Sequence, residues 1–196
     1  MRNRLALLAT VVGLFAATSA QAGHHLWDFT EMFSSANGAA QYVELFTAAN
    51  DEQGLGPFTV TTGTHTLNFV TNLPTNVTAN TWVLIATSNF ASLPGGVTPD
   101  YICPAGFFPT GGGTLNYASG VDVWNYGAVP TDGVHALARN ATTPINSPTN
   151  FAGQSGSVNA GAAVPMVQTW GLVLLVGAML LVGSGLLRKR DDATTA

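Results

Sequence analysis

Short segments that mix apolar and polar residues dominate the middle of the chain, and they predict β-strands. Thr, Val, Phe, Tyr and Trp recur within these segments, while Gly, Pro and Asn separate them. The predicted strands cover residues 26–33, 41–46, 57–61, 64–70, 81–86, 114–117, 121–126 and 134–138. Many short strands joined by turns are typical of a sandwich or a barrel, so we expect an all-β domain.

Two of the predicted strands differ in how their side chains alternate. Residues 82–86 read Trp-Val-Leu-Ile-Ala and are almost wholly apolar, which indicates a central strand covered on both faces. Residues 121–126 alternate between apolar and polar side chains, which indicates a strand with one face exposed to solvent. The sequence therefore predicts both a buried strand and a half-exposed strand.

The N-terminal segment has the layout of a secretory signal peptide over residues 1–22. A basic start precedes an apolar run over residues 5–17, and Ala20 and Ala22 form a small-x-small cleavage site. The alternative is a short membrane anchor, but the apolar run is shorter than the roughly 20 residues that span a bilayer. Cleavage after Ala22 would make Gly23 the first residue of the mature protein.

The C-terminal segment predicts a single transmembrane helix. Residues 171–187 are apolar or small, Trp170 precedes them, and a basic triplet follows at 188–190. Indole rings favour the membrane interface, and basic residues favour the cytoplasmic side. We therefore expect a cytoplasmic tail over residues 191–196 and the rest of the mature chain outside the cytoplasm.

Between these ends, residues 140–163 contain mainly Asn, Thr, Ser, Pro, Gly and Ala. Such a segment has little to bury, so it predicts a flexible stalk. The predicted organisation is a signal peptide over 1–22, a β-sandwich domain over 23–139, this stalk, and a membrane segment over 164–190.

The charge of the extracytoplasmic part limits its partners. Residues 23–165 hold eight carboxylates and one basic residue, Arg139, which leaves a formal net charge of −7. A surface with so few cations cannot neutralise phosphates, so nucleic acid and anionic membranes are poor partners. Cations and neutral polymers such as glycans remain open as ligands.

The only cysteine is Cys103, so an intramolecular disulfide is excluded. A small buried hydrophobe is the role we expect for it, with an intermolecular bridge as the alternative. No motif of a serine hydrolase, a zinc protease or a phosphate-binding loop occurs in the chain. Asp132 and His135 could form an acid/base pair, but Asp132-Gly133 predicts a turn.

An Asn37-Gly38 dipeptide between two predicted strands is a preferred hairpin turn, and it fixes a register. The pairs that it predicts are Phe29 with Phe46, Glu31 with Glu44, and Phe33 with Tyr42. Two opposed carboxylates repel unless one is protonated or a cation lies between them. Glu31 and Glu44 are therefore a candidate Ca²⁺ site, and a bulged hairpin or screening by solvent is the alternative.

A second candidate metal site depends on the cleavage predicted above. Gly23-His24-His25 at a free N-terminus would present an amine, two amides and an imidazole. Four nitrogens in one plane suit Cu(II) or Ni(II). The alternative is an incidental pair of histidines near a chain end.

The C-terminal segment resembles a known sorting signal. Residues 164–171 read Val-Pro-Met-Val-Gln-Thr-Trp-Gly, followed by the apolar helix and the basic triplet. This layout is similar to the IPTL-type C-terminal sorting signal of exported Gram-negative proteins, with departures at Val164, Met166 and Val167. The positions that match are Pro165, Trp170, Gly171, Arg188, Lys189 and Arg190. The resemblance implies recognition by an exosortase, a membrane processing enzyme. It also implies that the domain is held at the inner membrane in the periplasm, or is released to the cell surface or outside after processing.

The predicted β domain resembles a second family. The segments concerned read LWDFTEMF (26–33), QYVELF (41–46), WVLIA (82–86) and GTLNY (113–117). They are similar to the lamin-tail-like domain over residues 26–127. The resemblance implies an immunoglobulin-like β-sandwich with a binding or structural role, flanked here by the signal-peptide helix and the transmembrane helix.

Two functional classes follow from these observations. The first is a non-enzymatic surface or envelope protein, tethered through its C-terminal helix, that acts in adhesion or binds a glycan, envelope or matrix partner. The second is a secreted hydrolase that uses carboxylates on loops near Asp100, Asp122 or Asp132. The absence of catalytic motifs favours the first.

Overall fold

Nine β-strands and one short 3₁₀ turn make up residues 23–161, the part of the chain that the computed structural model describes. In chain order these elements are β1 (Asp28–Ser34), β2 (Gln41–Thr47), β3 (Thr59–Thr61), β4 (Thr66–Asn68), β5 (Thr81–Thr87), the 3₁₀ turn (Phe90–Ser92), β6 (Tyr101–Cys103), β7 (Gly113–Tyr117), β8 (Asp122–Tyr126) and β9 (Leu137–Ala138). The predicted signal peptide, sorting segment and transmembrane helix lie outside these residues. Within 23–161, no helix has the length and apolar character needed to cross a bilayer.

The strands form two sheets that enclose a common core. The first sheet has the order β6-β5-β2-β1-β9, and the second has the order β4-β3-β7-β8. Neighbouring strands are antiparallel except β5 and β6, which are parallel. Apolar side chains of both sheets, such as Leu45, Ile85, Leu115 and Trp124, pack together between them. The expected all-β architecture of two packed sheets is confirmed.

The first sheet is covered on both of its faces. In β5, Val83 and Ile85 contribute to the core between the sheets, whereas Leu84 and Ala86 contribute to a second apolar cluster on the outer face. The other buried members of this outer cluster are Phe33, Tyr42, Phe90, Val97, Ala136 and Val158. The prediction that residues 82–86 form a central strand covered on both sides is therefore confirmed, as is the alternating burial of β8.

The cover over the outer face includes the segment predicted to be a flexible stalk. Asn146 and Val158 are each 1% exposed. The Asn146 side-chain amide donates to the carbonyl oxygens of Val134 and Val158 at 2.6 and 2.8 Å, and its Oδ1 accepts from Val158 N at 2.8 Å. The described part of the stalk, residues 140–161, is thus packed on the domain, and the predicted boundary at residue 139 is wrong. The physical reason is that the apolar outer face needs a cover, which this polar segment supplies with few apolar residues.

The β1–β2 hairpin has the predicted register over most of its length. The confirmed pairs are Glu31 with Glu44 and Phe33 with Tyr42. The turn is longer than the predicted two-residue type, because Ser35 N donates to Ala40 O at 2.8 Å across the loop. Gly38 has a φ of 68°, which a glycine adopts without strain.

A β-bulge at Thr30 changes the register at the start of β1. Phe29 pairs with Leu45 rather than with Phe46, so the predicted pairing of Phe29 with Phe46 is wrong. One extra residue on β1 produces this shift. Thr30 itself uses its hydroxyl to donate to Glu44 Oε1 at 2.9 Å.

Strand β6 and its cysteine complete the first sheet. Cys103 is 3% exposed, and burial raises the pKa of its thiol to about 12. The thiolate is the reactive form of cysteine, so this thiol is inert at neutral pH. The expected role as a small buried hydrophobe is confirmed.

Candidate functional site

The buried pair of Glu31 and Glu44 lies beneath residues 140–161, which we call the covering segment. The two side chains are 7% and 4% exposed. Ser147 donates its backbone N–H to Glu31 Oε1 at 2.8 Å and its hydroxyl to Oε2 at 3.1 Å, and Tyr42 donates its hydroxyl to Oε1. Thr149 N donates to Glu44 Oε2 at 2.8 Å. The carboxyl pair therefore binds residues 147–149 to the hairpin.

The protonation of this pair follows from its burial. Burial raises the pKa of Glu44 to about 8, the bonds from Thr149 and Thr30 oppose that rise, and the nearby Glu31 adds to it. Burial, followed by the charge of Glu31, holds the pKa of Tyr42 well above its usual range. The raised pKa favours the protonated form of Glu44 at neutral pH, and protonation relieves the repulsion expected between two opposed carboxylates.

Among the described residues, the structure adds no acidic side chain to Glu31 and Glu44 as a ligand for Ca²⁺. Calcium takes six to eight oxygen ligands. Among residues 23–161, no group of three or more His, Cys, Asp or Glu side chains is placed to hold a metal ion. The two carboxyls accept hydrogen bonds from protein donors, and calcium binding stays a prediction.

The Gly23-His24-His25 segment is also held by the domain. Gly23 N donates to Asp51 O at 2.6 Å, and the ring of His24 stacks on Phe58 with 3.4 Å between centroids. Burial, and then the neighbouring His25, lower the pKa of His24. A square-planar Cu(II) or Ni(II) site would need the Gly23 nitrogen that is bonded to Asp51 here, so copper binding also stays a prediction.

Asp122 and Arg139 form an ion pair that connects the two sheets. Arg139 donates from both terminal nitrogens to the two Asp122 oxygens at 2.8 Å, and Phe29 N donates to Asp122 Oδ2 at the same distance. The guanidinium also lies over the Trp124 ring, 5.5 Å from its centroid. Asp122 is 7% exposed. Its carboxylate is a buried structural acceptor rather than a free acid or base.

Asp132 and His135 are close together, as a catalytic pair would be, but they form a turn on the surface. Asp132 Oδ1 accepts from the backbone N–H groups of Val134 and His135, and Oδ2 lies 2.6 Å from His135 Nδ1. These backbone bonds, aided by the His135 side chain, lower the pKa of Asp132 to about 2. The predicted turn is confirmed.

A groove of about 450 Å³ lies where the loop after β4 meets the start of β6 and the covering segment. Its lining residues are Thr71, Asn72, Leu73, Pro74, Asp100, Tyr101, Phe151 and Ala152. Asp100 Oδ2 accepts from Leu84 N at 2.8 Å and from Phe151 N at 2.9 Å, and burial raises its pKa. The Tyr101 hydroxyl donates to Thr71 O at 2.8 Å. Sequence reasoning missed this groove, because its residues come from three distant segments.

The predicted sorting residues Pro165, Trp170 and Gly171, the basic triplet 188–190, and the cleavage residues Ala20 and Ala22 lie outside the described part of the chain. Comparisons with protein-family models, curated proteins and solved structures found no match for this chain. The candidate sites therefore stand on their own geometry.

Proposed function

We propose that this chain is a non-enzymatic, exported surface protein whose β domain binds a neutral saccharide and is tethered through its C-terminal segment. The proposal that the protein is not an enzyme rests on the hydrogen bonds that its carboxyl groups accept. Asp100 and Asp122, which a hydrolase would use, each accept two or more hydrogen bonds from backbone amides or Arg139. The hydrogen bonds of both carboxyl groups go to the fold itself, which is the use expected of structural acceptors.

Sequence features support the export and the tether. The small-x-small pattern at Ala20 and Ala22 supports removal of residues 1–22, and residues 164–190 resemble an exosortase sorting signal. The lamin-tail-like resemblance supports an immunoglobulin-like variant of the two-sheet fold. The proposed location is the periplasmic face of the inner membrane, followed by release to the surface when the C-terminal segment is processed.

The chemistry of the groove supports a neutral saccharide as the ligand. Phe151 and Pro74 offer apolar surface for the C–H face of a sugar, and Asp100 and Asn72 offer polar atoms for its hydroxyls. An anionic ligand is disfavoured, since the only basic side chain of residues 23–161 is Arg139, which is paired with Asp122. The groove is large enough for a small oligosaccharide unit.

A binding experiment tests the saccharide proposal. Calorimetric titration of the mature protein with neutral oligosaccharides should give binding that Ala152→Trp abolishes, because the indole would fill the groove. Ala48→Trp, also at an exposed alanine, is the matched control and should leave binding unchanged. Equal affinity of both variants, or turnover of the sugar that is lost in Asp100→Asn, would contradict the proposal.

A fractionation experiment tests the tether. The full chain should fractionate with the inner membrane, and a chain ending at Ala163 should not, because it lacks the apolar helix and its basic triplet. N-terminal sequencing of the exported product should begin at Gly23. Identical fractionation of both chains, or a product beginning at Met1, would exclude this part of the proposal.

A further inference from the structure

Glu52 is a buried carboxyl group that has no Lys or Arg partner among the described residues, although its charge acts on the nearby His24 ring and opposes the fall in the His24 pKa. Glu52 is 6% exposed to solvent. Oε2 accepts from Leu26 N at 3.1 Å, and among residues 23–161 no hydrogen bond reaches Oε1. The only Lys or Arg side chain in this range, Arg139, is bonded to Asp122. A cation brought next to Glu52 would therefore form an ion pair that is largely shielded from solvent.

The backbone of Gly23 lies close to Glu52 Oε1. A Cβ built on Gly23 would lie 2.5 Å from Glu52 Oε1 and 2.9 Å from Asp51 O. Bond lengths then place the Gly23 nitrogen within about 5.5 Å of Oε1. At such a distance a positive charge and a carboxylate attract each other. Only glycine fits here without moving these oxygens.

The Gly23 backbone is held in this position by two further bonds. Gly23 N donates to Asp51 O at 2.6 Å, and Gly23 O accepts from Gly54 N at 2.9 Å. The polar atoms nearest to a Cβ built on Gly23 are Glu52 Oε1 and the carbonyl oxygen of Asp51, and both are acceptors. A titratable neighbour of Glu52 is His24, whose pKa is lowered by burial. This is an acceptor-rich setting that suits an ammonium group.

We propose that removal of residues 1–22 creates an α-ammonium group at Gly23 that pairs with the buried Glu52. Processing would thereby add a stabilising ion pair to the domain. The inference rests on the cleavage after Ala22 contained in the proposed function. Hydrolysis adds one water across the Ala22–Gly23 peptide bond and leaves a carboxylate on Ala22 and an ammonium on Gly23. That ammonium has three donors, where the peptide nitrogen has one, so it can keep its bond to Asp51 O and also reach Glu52.

A double-mutant cycle tests the ion pair without relying on export. Chains that run from Gly23 to Ala196 are released from a fusion partner by a protease that leaves Gly23 first, and they are compared in detergent with chains that carry Ala-Ala before Gly23. The extension should lower the melting temperature by about 2–4 °C. In the Glu52→Gln background the extension should have a much smaller effect, because the ion pair is already absent. Asp28→Asn, which removes an exposed carboxylate, is the control and should leave the effect of the extension unchanged.

The pKa of the Gly23 amine gives a second measurement that does not depend on unfolding. Titration followed by NMR should place this pKa above the usual 7.7–8.0 of an α-amine, and Glu52→Gln should return it to that range. An equal effect of the extension with and without Glu52, or an ordinary amine pKa, would overturn the ion pair and leave the export proposal intact. An exported product that begins at another residue would overturn both.

Discussion

At the scale of single residues, most carboxyl groups of the domain act as hydrogen-bond acceptors for the backbone. Glu31, Glu44, Asp100, Asp122 and Asp132 each accept at least one backbone N–H. Residues 23–161 contain one Lys or Arg, Arg139, which pairs with Asp122, so the domain compensates its other buried carboxyls with amides, hydroxyls and protonation. The acidic composition of the domain therefore reflects its internal bonding as well as its surface.

Glu44 makes the stability of the domain depend on pH. Its pKa is raised from 4.5 to about 8 in the folded protein, so the folded state binds this proton more tightly than the unfolded state does. The stability that it contributes is fully present below about pH 4.5 and is lost as the pH rises through about 8. Urea unfolding should therefore show a fall of at least roughly 1.4 kcal/mol between pH 5 and 8.5, the worth of one pKa unit.

The variant Glu44→Gln should reduce this fall, because the amide stays neutral, and it should match or exceed the stability of the original protein at pH 8.5. Asp122→Asn is the matched control. It disturbs a carboxylate paired with Arg139 and should destabilise the domain at both pH values by about 1.5–3 kcal/mol. An unchanged pH slope in Glu44→Gln would show that another group is responsible.

At the scale of elements, the sequence predicted the strands better than it predicted their cover. Strand β6 was missed because Tyr101–Cys103 is three residues long and shows no extended alternation. A bulged hairpin was the alternative that the sequence left open, but its position at Thr30 was not predictable because no local residue pattern requires it there. At the bulge, Thr30 bonds to Glu44 and Phe29 bonds to Asp122. The register beyond the bulge was predictable because a turn and a two-residue period determine it.

The covering segment was misread because its composition resembles that of a linker. Its attachment depends on Asn146, Ser147, Thr149 and Asn150, whose polar groups bond to strands and loops outside the segment. One signal in the sequence pointed to a cover: the almost wholly apolar β5, which requires partners on both faces. The groove lined by Asp100 and Phe151 could not be predicted for the same reason, because the covering segment forms one of its walls.

Asn146 should be essential for the attachment of the covering segment. Asn146→Ala should destabilise the domain by about 1–3 kcal/mol, since it leaves buried carbonyl and amide groups without partners. It should also increase hydrogen exchange over residues 144–158. Asn159→Ala, at an exposed position in the same segment, is the control and should stay within about 0.5 kcal/mol of the original protein. Equal effects of the two substitutions would contradict the packed arrangement.

At the scale of the whole molecule, the charge distribution separates the domain from the chain ends. Residues 23–161 hold eight carboxylates and one basic residue, whereas the other five basic residues lie at the two ends. This separation excludes cationic surface patches from the β domain, and it favours neutral or cationic partners.

The domain should therefore fail to bind polyanions. At pH 7 and low salt, the mature protein should be retained on an anion exchanger and should pass through heparin and DNA columns, because its β domain has no cluster of cations to displace counterions. A chain ending before residue 188 is the informative control, since it also lacks the C-terminal basic triplet. Retention of that shorter chain on heparin would contradict the charge argument.

The bonds from Ser147 to Glu31 and from Thr149 to Glu44 join residues 116 and 105 positions apart. In a chain that crosses a membrane from its N-terminus, the β1–β2 hairpin emerges long before the segment that covers it. In the proposed export, its outer face, with the buried carboxyl pair and Phe33, would stay exposed to water until residue 158 has crossed. Contacts between residues this far apart in sequence slow folding. We therefore expect the exported chain to stay unfolded, and able to pass through a narrow channel, until almost the whole domain has crossed the membrane.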